Sequence, residues 1–421
     1  MRLFSILIAI FLFFSAQAEC AYTVIANPGE NSSQNIRLNW HTDINTEKTY
    51  SYYTESSDKK WDNTKMAKPK RKLCSVFDSM YSKTPEGENI YERVEFIRNT
   101  VELKRLKPNT KYMYRIGVTP GEGEIRYFRT APENEEWAAG IISDFHAYTP
   151  LPKRVDSAMS MLHTIEQQNG KVLDLILHVG DIIAWGGSYS FWKDLYNESY
   201  FKNYLWAGVN GNHDNMDRTN KKNSNAFFKH TNNNLNNGYK GEKGVCYYFT
   251  YGDALFIMLN NESMRSDDGL AQAQEWVRKV IKKQNDSKFI IVMEHYQWFF
   301  GTDGKSSQYD RWKNLFDECG VDLAISANNH IYARTNALYN DIETDGNKGT
   351  IYMQTPSSDN ERGQELKEWI YNKDIIKFRW SEGAKTTGAI IMKVFKDKLE
   401  LTLYDRNGTS IDSFTVKAKK K

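Results

Sequence analysis

From Ala138 onward, short apolar runs recur along the chain: AAGIIS, LDLILHVG, YLWAGVNG, ALFIMLN, FIIVMEH and VDLAISA. Runs so short and so uniformly apolar are the pattern of strands buried on both faces. Amphipathic stretches separate some of them. LPKRVDSAMSMLHTIEQQ places Val155, Ala158, Leu162 and Ile165 on one helical face. LAQAQEWVRKVIKK does the same with Ala273, Trp276, Val277, Val280 and Ile281. Buried strands alternating with such helices predict an α/β core. The chain returns to strands at GAIIMKVF and LELTLYD, and it shows no internal repeat.

Ahead of this core the periodicity is different. IRLNW (Ile36–Trp40) and VELKRL (Val101–Leu106) alternate apolar and polar residues, and YMYRI (Tyr112–Ile116) follows the turn KPNT. Strands parted by turns, with no helical stretch between them, predict a small β-sandwich. An aromatic content of 14%, with 25 Tyr and 11 Trp, suits a strand-rich chain. FRTAPENEE (Phe128–Glu136) brings proline and charge, as a linker does.

The chemistry sits where the apolar runs stop. One run ends at Asp144 and His146 and the next at Asp181. The others end at Asn212, His213 and Asp214, at His295, and at His330. In open α/β sheets ligands bind beyond the carboxyl ends of the strands. Each motif alone is weak, since Gly-Asn and Gly-Asp also mark ordinary turns. Four of the eight histidines fall in these motifs; His41, His163, His178 and His230 are read as structural or surface residues.

The order Asp-x-His, Gly-Asp, Gly-Asn-His-Asp, a strand ending in His, and a last strand ending near His resembles the calcineurin-like metallophosphoesterases. YFTYGDALFIMLNNE and the N-terminal LKPNTKYMYRIG, which resembles the last strands of a fibronectin type III domain, narrow the likeness to purple acid phosphatase-like proteins. The resemblance implies a four-layer αββα sandwich preceded by a small all-β, fibronectin type III-like domain. The expected divisions are a signal peptide over 1–18, the β domain over 19–132 and the metallophosphoesterase domain over 133–416.

It also implies a centre for two metal ions of the Fe, Mn or Zn type, to which carboxylate, amide and imidazole are suited. Asp181 would bridge them. Asp144, His146 and His330 would complete the first site, and Asn212 and His295 would serve the second. His213 would act on the phosphate or the leaving oxygen, with Asp214 orienting it. Tyr332 and Arg334 match the extended last motif and are read as supports of that loop.

Two departures from the family pattern stand out. Purple members carry a tyrosinate three residues after the bridging aspartate, where this chain has Ala184, and commonly glycine in place of His146. The last motif is Gly-His-x-His in the family and Ala327-Asn328-Asn329-His330 here. Asn328 therefore stands where a second-metal histidine is expected. It either ligates weakly through its amide oxygen or leaves that place to water.

The expected function is hydrolysis of a small phosphate ester, foremost a phosphomonoester, by a metal-bound hydroxide. A phosphodiesterase or nucleotidase on the same centre is the alternative, as is a surface-binding protein with weakened catalysis. MRLFSILIAIFLFFSAQA reads as a secretory signal peptide, which implies a secreted, periplasmic or extracellular protein. Its apolar run is too short to span a bilayer, and no later segment reads as a span. Export permits disulfides; pairing of Cys20 with Cys74 and of Cys246 with Cys319 is the simplest arrangement, with buried thiols the alternative. Sequons stand at Asn31, Asn197, Asn261, Asn285 and Asn407. A formal net charge of +3 supplies no case for a nucleic-acid partner, and KPKRK (Lys68–Lys72) reads as a solvated segment. Asn220–Gly238, rich in Asn and Lys, reads as a long loop.

Overall fold

The computed structural model describes residues 20–419 apart from 84, 87–88, 134, 149–153, 171–172, 217–233, 300–307, 360–361 and 367–374. The expected signal peptide, His230 and most of the loop expected over Asn220–Gly238 lie outside the described residues.

The first part is a sandwich of two four-stranded sheets. One sheet runs in the order Tyr22–Pro28, Ile36–Thr42, Asn89–Leu103, Lys70–Lys83. The other runs Lys65–Ala67, Tyr50–Glu55, Lys111–Gly117, Arg126–Arg129. The alternation seen in IRLNW sends Ile36, Leu38 and Trp40 into the core between the sheets. Arg37, Asn39 and His41 alternate with them and face the other way.

The second part is built on two larger sheets. A six-stranded sheet has the order Leu205–Gly208, Leu175–His178, Trp137–Ile142, Gly388–Val394, Lys398–Asp405, Ser410–Lys417. Its first three strands are parallel. A seven-stranded sheet holds Ala254–Met258, Phe289–Met293, Leu323–Ser326 and Ile351–Gln354 side by side in parallel. The alternation within each strand makes the layers. Ala139 and Ile141 point into the apolar layer between the sheets, together with Phe256 and Ile291. Ala138 and Ile142 point outward against Ala158, Leu162 and Ile165 of the helix Arg154–Asn169. On the far side Ile290 and Val292 meet Ala273, Trp276, Val277 and Val280 of the helix Asp267–Lys283, beside the helix Gln308–Cys319. Helix, sheet, sheet, helix is the expected four-layer α/β sandwich. Among the described residues no helix is long and apolar enough to cross a membrane.

The parts meet along the outer face of the first small sheet. Asn27 Nδ2 donates to the Trp206 carbonyl at 2.7 Å. Asp78 accepts from Ser190 through both backbone N–H and hydroxyl, at 3.0 and 3.1 Å. Tyr189 stacks on Phe96 with ring centroids 4.6 Å apart, and its hydroxyl lies 2.8 Å from His41 Nδ1. The disulfide arrangement expected from sequence is not formed: the cysteines are thiols, and the Cys246 sulfur, fully buried, accepts instead from the Asn260 N–H at 3.3 Å.

Candidate metal centre

Parallel strands end on one edge, and that edge gathers the polar residues. The loops after Trp137–Ile142 and Leu175–His178 are tied together by backbone bonds from Asp144 N–H to Gly180 O and from His146 N–H to Asp181 O, at 3.1 and 3.0 Å. Across the layer, Ala327 N–H donates to His295 O at 2.9 Å, joining the loops of the second sheet. Asp144, His146, Asp181, Asn328 and His330 all have positive φ, between 43° and 68°. Left-handed backbone costs a non-glycine residue about 1–2 kcal/mol. Such strain, concentrated on one constellation, is the pattern of a functional site.

Glycines make the close approach possible. A Cβ on Gly180 would stand 2.6 Å from His295 Nδ1, and one on Gly211 would stand 2.1 Å from Asp181 Oδ1. These are the glycines of HVGD and GNHD.

The side chains converge on Asp181. Its Oδ2 lies 3.2 Å from His146 Nε2 and 3.3 Å from His295 Nε2. Asp144 Oδ1 lies 3.4 Å from His330 Nε2 and 4.0 Å from His295 Nε2. Three sets of possible ligands form, each with its atoms within 4.8 Å of one another: Asp144–His146–His330, Asp144–Asp181–His295 and His146–Asp181–His213. Asp144, Asp181, His146 and His295 are almost wholly buried. Asn212 Oδ1 has no hydrogen-bond partner, while Asp144 Oδ1 and His295 Nε2 meet the opposite charges just given without hydrogen-bond geometry. Orphaned donors and acceptors are costly in so buried a place unless something else satisfies them, and cations would.

The imidazoles are aimed from behind. His295 Nδ1 is 2.7 Å from Val179 O, His330 Nδ1 is 2.5 Å from Arg362 O, and His213 Nδ1 is 2.8 Å from Ala184 O. A backbone carbonyl accepting from Nδ1–H fixes the tautomer and leaves Nε2 for a ligand, as in metal sites generally. His330 and His295 lie nearest the carboxylates and are charged by them. Burial lowers the His295 pKa, but Asp181 and Asp144 overcome it and raise it to about 10. Burial likewise opposes, and Asp144 outweighs, at His330, whose pKa is raised. Burial raises both carboxylates, yet His330 pulls Asp144 below the ordinary range and His295 pulls Asp181 well below it. His146 differs: burial dominates over Asp181 and lowers its pKa. Two buried carboxylates thus demand positive charge at this point, which bound cations would supply.

Asp214 does not orient His213. Its Oδ1 accepts from Ile182 and Ile183 N–H at 3.0 and 3.2 Å, and its Oδ2 from Gly211 N–H at 2.8 Å. It clasps the Asp181 loop to the Asn212 turn, and the orienting partner of His213 is the Ala184 carbonyl. Burial and the charge of Asp181 raise the Asp214 pKa to about 8, against the pull of those amides. Asn328 turns its amide nitrogen to Gln297 Oε1, at 2.5 Å. Tyr332 and Arg334 converge on Asp412 at 2.8 Å and, through two guanidinium nitrogens, at 2.5 and 2.9 Å. That is a support for the strand, as their motif suggested.

Sequence reasoning missed Asn261, which it noted for its sequon alone. Asn261 is buried; its Oδ1 accepts from His295 and Tyr296 N–H at 2.8 and 2.7 Å, and its Nδ2 donates to Glu294. It shapes the loop that carries His295 and has no room for a glycan. The only signal for it was its place at the end of ALFIMLN, one more apolar run stopping in amides.

Residues 139–332 match the calcineurin-like phosphoesterase family, and residues 22–130 match the purple acid phosphatase N-terminal domain. The chain is 23% identical over 270 residues to human acid phosphatase type 7, a match covering 57% of each chain. It is 22% identical over 296 residues to purple acid phosphatase 15 of Arabidopsis thaliana, covering 62% of this chain and 54% of that one. The chain thus spans little more than half the length of these relatives. Among solved structures, the purple acid phosphatase PPD1 of yellow lupin aligns with a TM-score of 0.73 at 16% identity, over 95% of this chain and 75% of that one. PhoD aligns with a TM-score of 0.56 at 13% identity, over 96% and 94%. Both domain matches and the converging strand-end side chains agree: the chain carries a calcineurin-like phosphoesterase domain behind a purple acid phosphatase N-terminal domain.

Proposed function

We propose that this protein is an exported, metal-dependent phosphoric-ester hydrolase that acts on small phosphomonoesters. The observation that carries the reading is the donor set itself: carboxylates and imidazoles of Asp144, His146, Asp181, His295 and His330 gather in one buried place, and Asn212 Oδ1 is buried without a partner in the turn whose His213 N–H donates to Asp181. Asp144, His146, Asp181 and His330 form one candidate site. Asp181, Asn212 and His295 form the other, with the Asn328 oxygen as a further donor. A cation pair held there would neutralise phosphate oxygens and furnish a nucleophile from water near neutral pH. His213 is half-buried, and with Nδ1 engaged by Ala184 O its Nε2 is the atom left for a phosphate or leaving oxygen. With Ala184 in the tyrosinate position, the metal-loaded protein should lack a purple charge-transfer band. Export rests on the N-terminal signal pattern, and the acid phosphatase names of the matched relatives favour monoesters over diesters.

The test is hydrolysis of p-nitrophenyl phosphate against bis(p-nitrophenyl) phosphate by protein loaded in turn with Mn, Zn and Fe. Preference for the monoester, lost by more than about 100-fold in Asp181→Asn, is the expected result. Preference for the diester would assign the phosphodiesterase alternative. Metal uptake without turnover of either ester would assign a binding protein.

A further inference from the structure

The outer face of the first small sheet changes character along its length. Around Val76 and Phe96 it is apolar and covered by Tyr189. Further along, the cross-strand pairs are Lys72 with Arg98, Lys70 with Thr100, and Arg37 with Glu102. Paired residues share a face, so these six side chains stand together beyond the domain contact. They line a crevice of about 440 Å³ that Asn236 of the second part helps to wall, and Lys68, Arg71 and Lys104 line it too. The lining thus holds seven basic residues and one carboxylate, Glu102, which Lys104 engages at 3.2 Å. In a chain with 56 basic and 53 acidic residues, seven to one is a local excess of positive charge. Arg37 and Arg98 are half-buried at the base. Burial, and then the neighbouring Arg98, push the Arg37 pKa down to about 10. Like charges crowded where water solvates them poorly are relieved by an anion.

We infer that this crevice is a binding site for a compact polyanion carrying several phosphate or sulfate groups. Its volume is that of a small-molecule site, while its lining is cationic rather than apolar. Guanidinium forks bind phosphate-type oxygens through two parallel hydrogen bonds, and the exposed lysines add point charges around them. A nucleic-acid duplex would need a longer basic face than this crevice offers. KPKRK, read from sequence as a solvated segment, is one wall of the site.

The metal centre could itself bind a phosphate chain, so titrations use the full-length Asp181→Asn protein, and the outcome does not depend on the catalytic reading. Calorimetric titration with inorganic tripolyphosphate should show saturable binding that weakens at high salt. Lys70→Gln/Lys72→Gln/Lys104→Gln, three exposed positions, should weaken it by about tenfold or more. In the otherwise unaltered enzyme the same triple variant should leave turnover of p-nitrophenyl phosphate unchanged. A highly sulfated oligosaccharide is the second probe: comparable binding assigns the site to polyanions in general, and binding of tripolyphosphate alone assigns it to phosphates. Absence of saturable binding to both probes, binding indifferent to the triple variant, or clear preference for a DNA duplex over both would overturn the inference.

Discussion

Asn328 is the residue on which the proposed second metal site turns. Its amide nitrogen is committed to Gln297, so the oxygen is the atom with which it could serve a cation. An amide oxygen is a weaker donor than imidazole to Zn or Fe. The site around Asp181, Asn212 and His295 should therefore hold its metal less firmly than the site with Asp144, His146 and His330. Dialysed protein should retain about one metal per chain, and activity should rise as a second is titrated in. Asn328→His should tighten that second metal by about tenfold or more, read by metal analysis after dialysis. Two equally tight metals before and after the change would sink the assignment. His213 acts without a metal of its own in this scheme. His213→Gln should lower kcat by about 10²–10⁴ while metal content stays unchanged; a matching loss of metal would instead make it a ligand.

At the scale of elements, the strand ends depend on close packing between loops. Gly211→Ala would drive a methyl group against Asp181 Oδ1. The expected result is a folded protein, by circular dichroism, that loses metal and activity together. Retained metal content would show that the turn can shift without moving Asp181. The strand before Asp181 carries a different constraint. The ring of His178 packs where a Cβ on Gly208 would come within 2.1 Å of it. Burial pushes the pKa of His178 down to about 3 from 6.5. The folded state thus holds it neutral while the unfolded chain takes up a proton below pH 6.5. Stability from this residue is full above 6.5 and is lost as pH falls toward 3. Between pH 7.5 and 4.5 the loss is roughly 2–3 kcal/mol. His178→Phe should flatten the fall in Tm over that window; an unchanged slope would place the acid sensitivity elsewhere.

At the scale of the whole molecule, the two parts are joined by packing rather than by a linker alone. Tyr189 lies on the helix Tyr189–Tyr196, which follows the Asp181 loop, and it stacks on Phe96 of the sandwich. Tyr189→Ala should cost about 3–5 kcal/mol by opening a cavity between the parts. Tyr189→Phe, which removes the hydroxyl facing His41, should cost about 1 kcal/mol. Denaturant melts would check both, with a single transition in the parent protein. If Tyr189→Ala melts like the parent, the contact is incidental.

Much of this protein was legible in its sequence because periodicity and burial are local. Runs such as FIIVMEH and LDLILHVG declare strands covered on both faces, and their polar ends declare where ligands must collect. The order of those ends carried the family resemblance, and His146, His295 and His330 as ligands, with His213 beside them, were named before any geometry. What local pattern cannot encode is who meets whom across the fold. Asp214 looked like the partner of His213 because it is adjacent in the chain, yet one helical turn points it back at the amides of Ile182, Ile183 and Gly211. Asn261 is 34 residues from His295 and holds its backbone all the same. Lysines that read as a solvated run became one wall of a crevice, because strand pairing set them beside Arg98 and Arg37. Sequence determined which segments are strands and which residue types they deliver. Tertiary structure decided the partners, because hydrogen bonds and charges act over a few ångströms of space, whatever the separation along the chain.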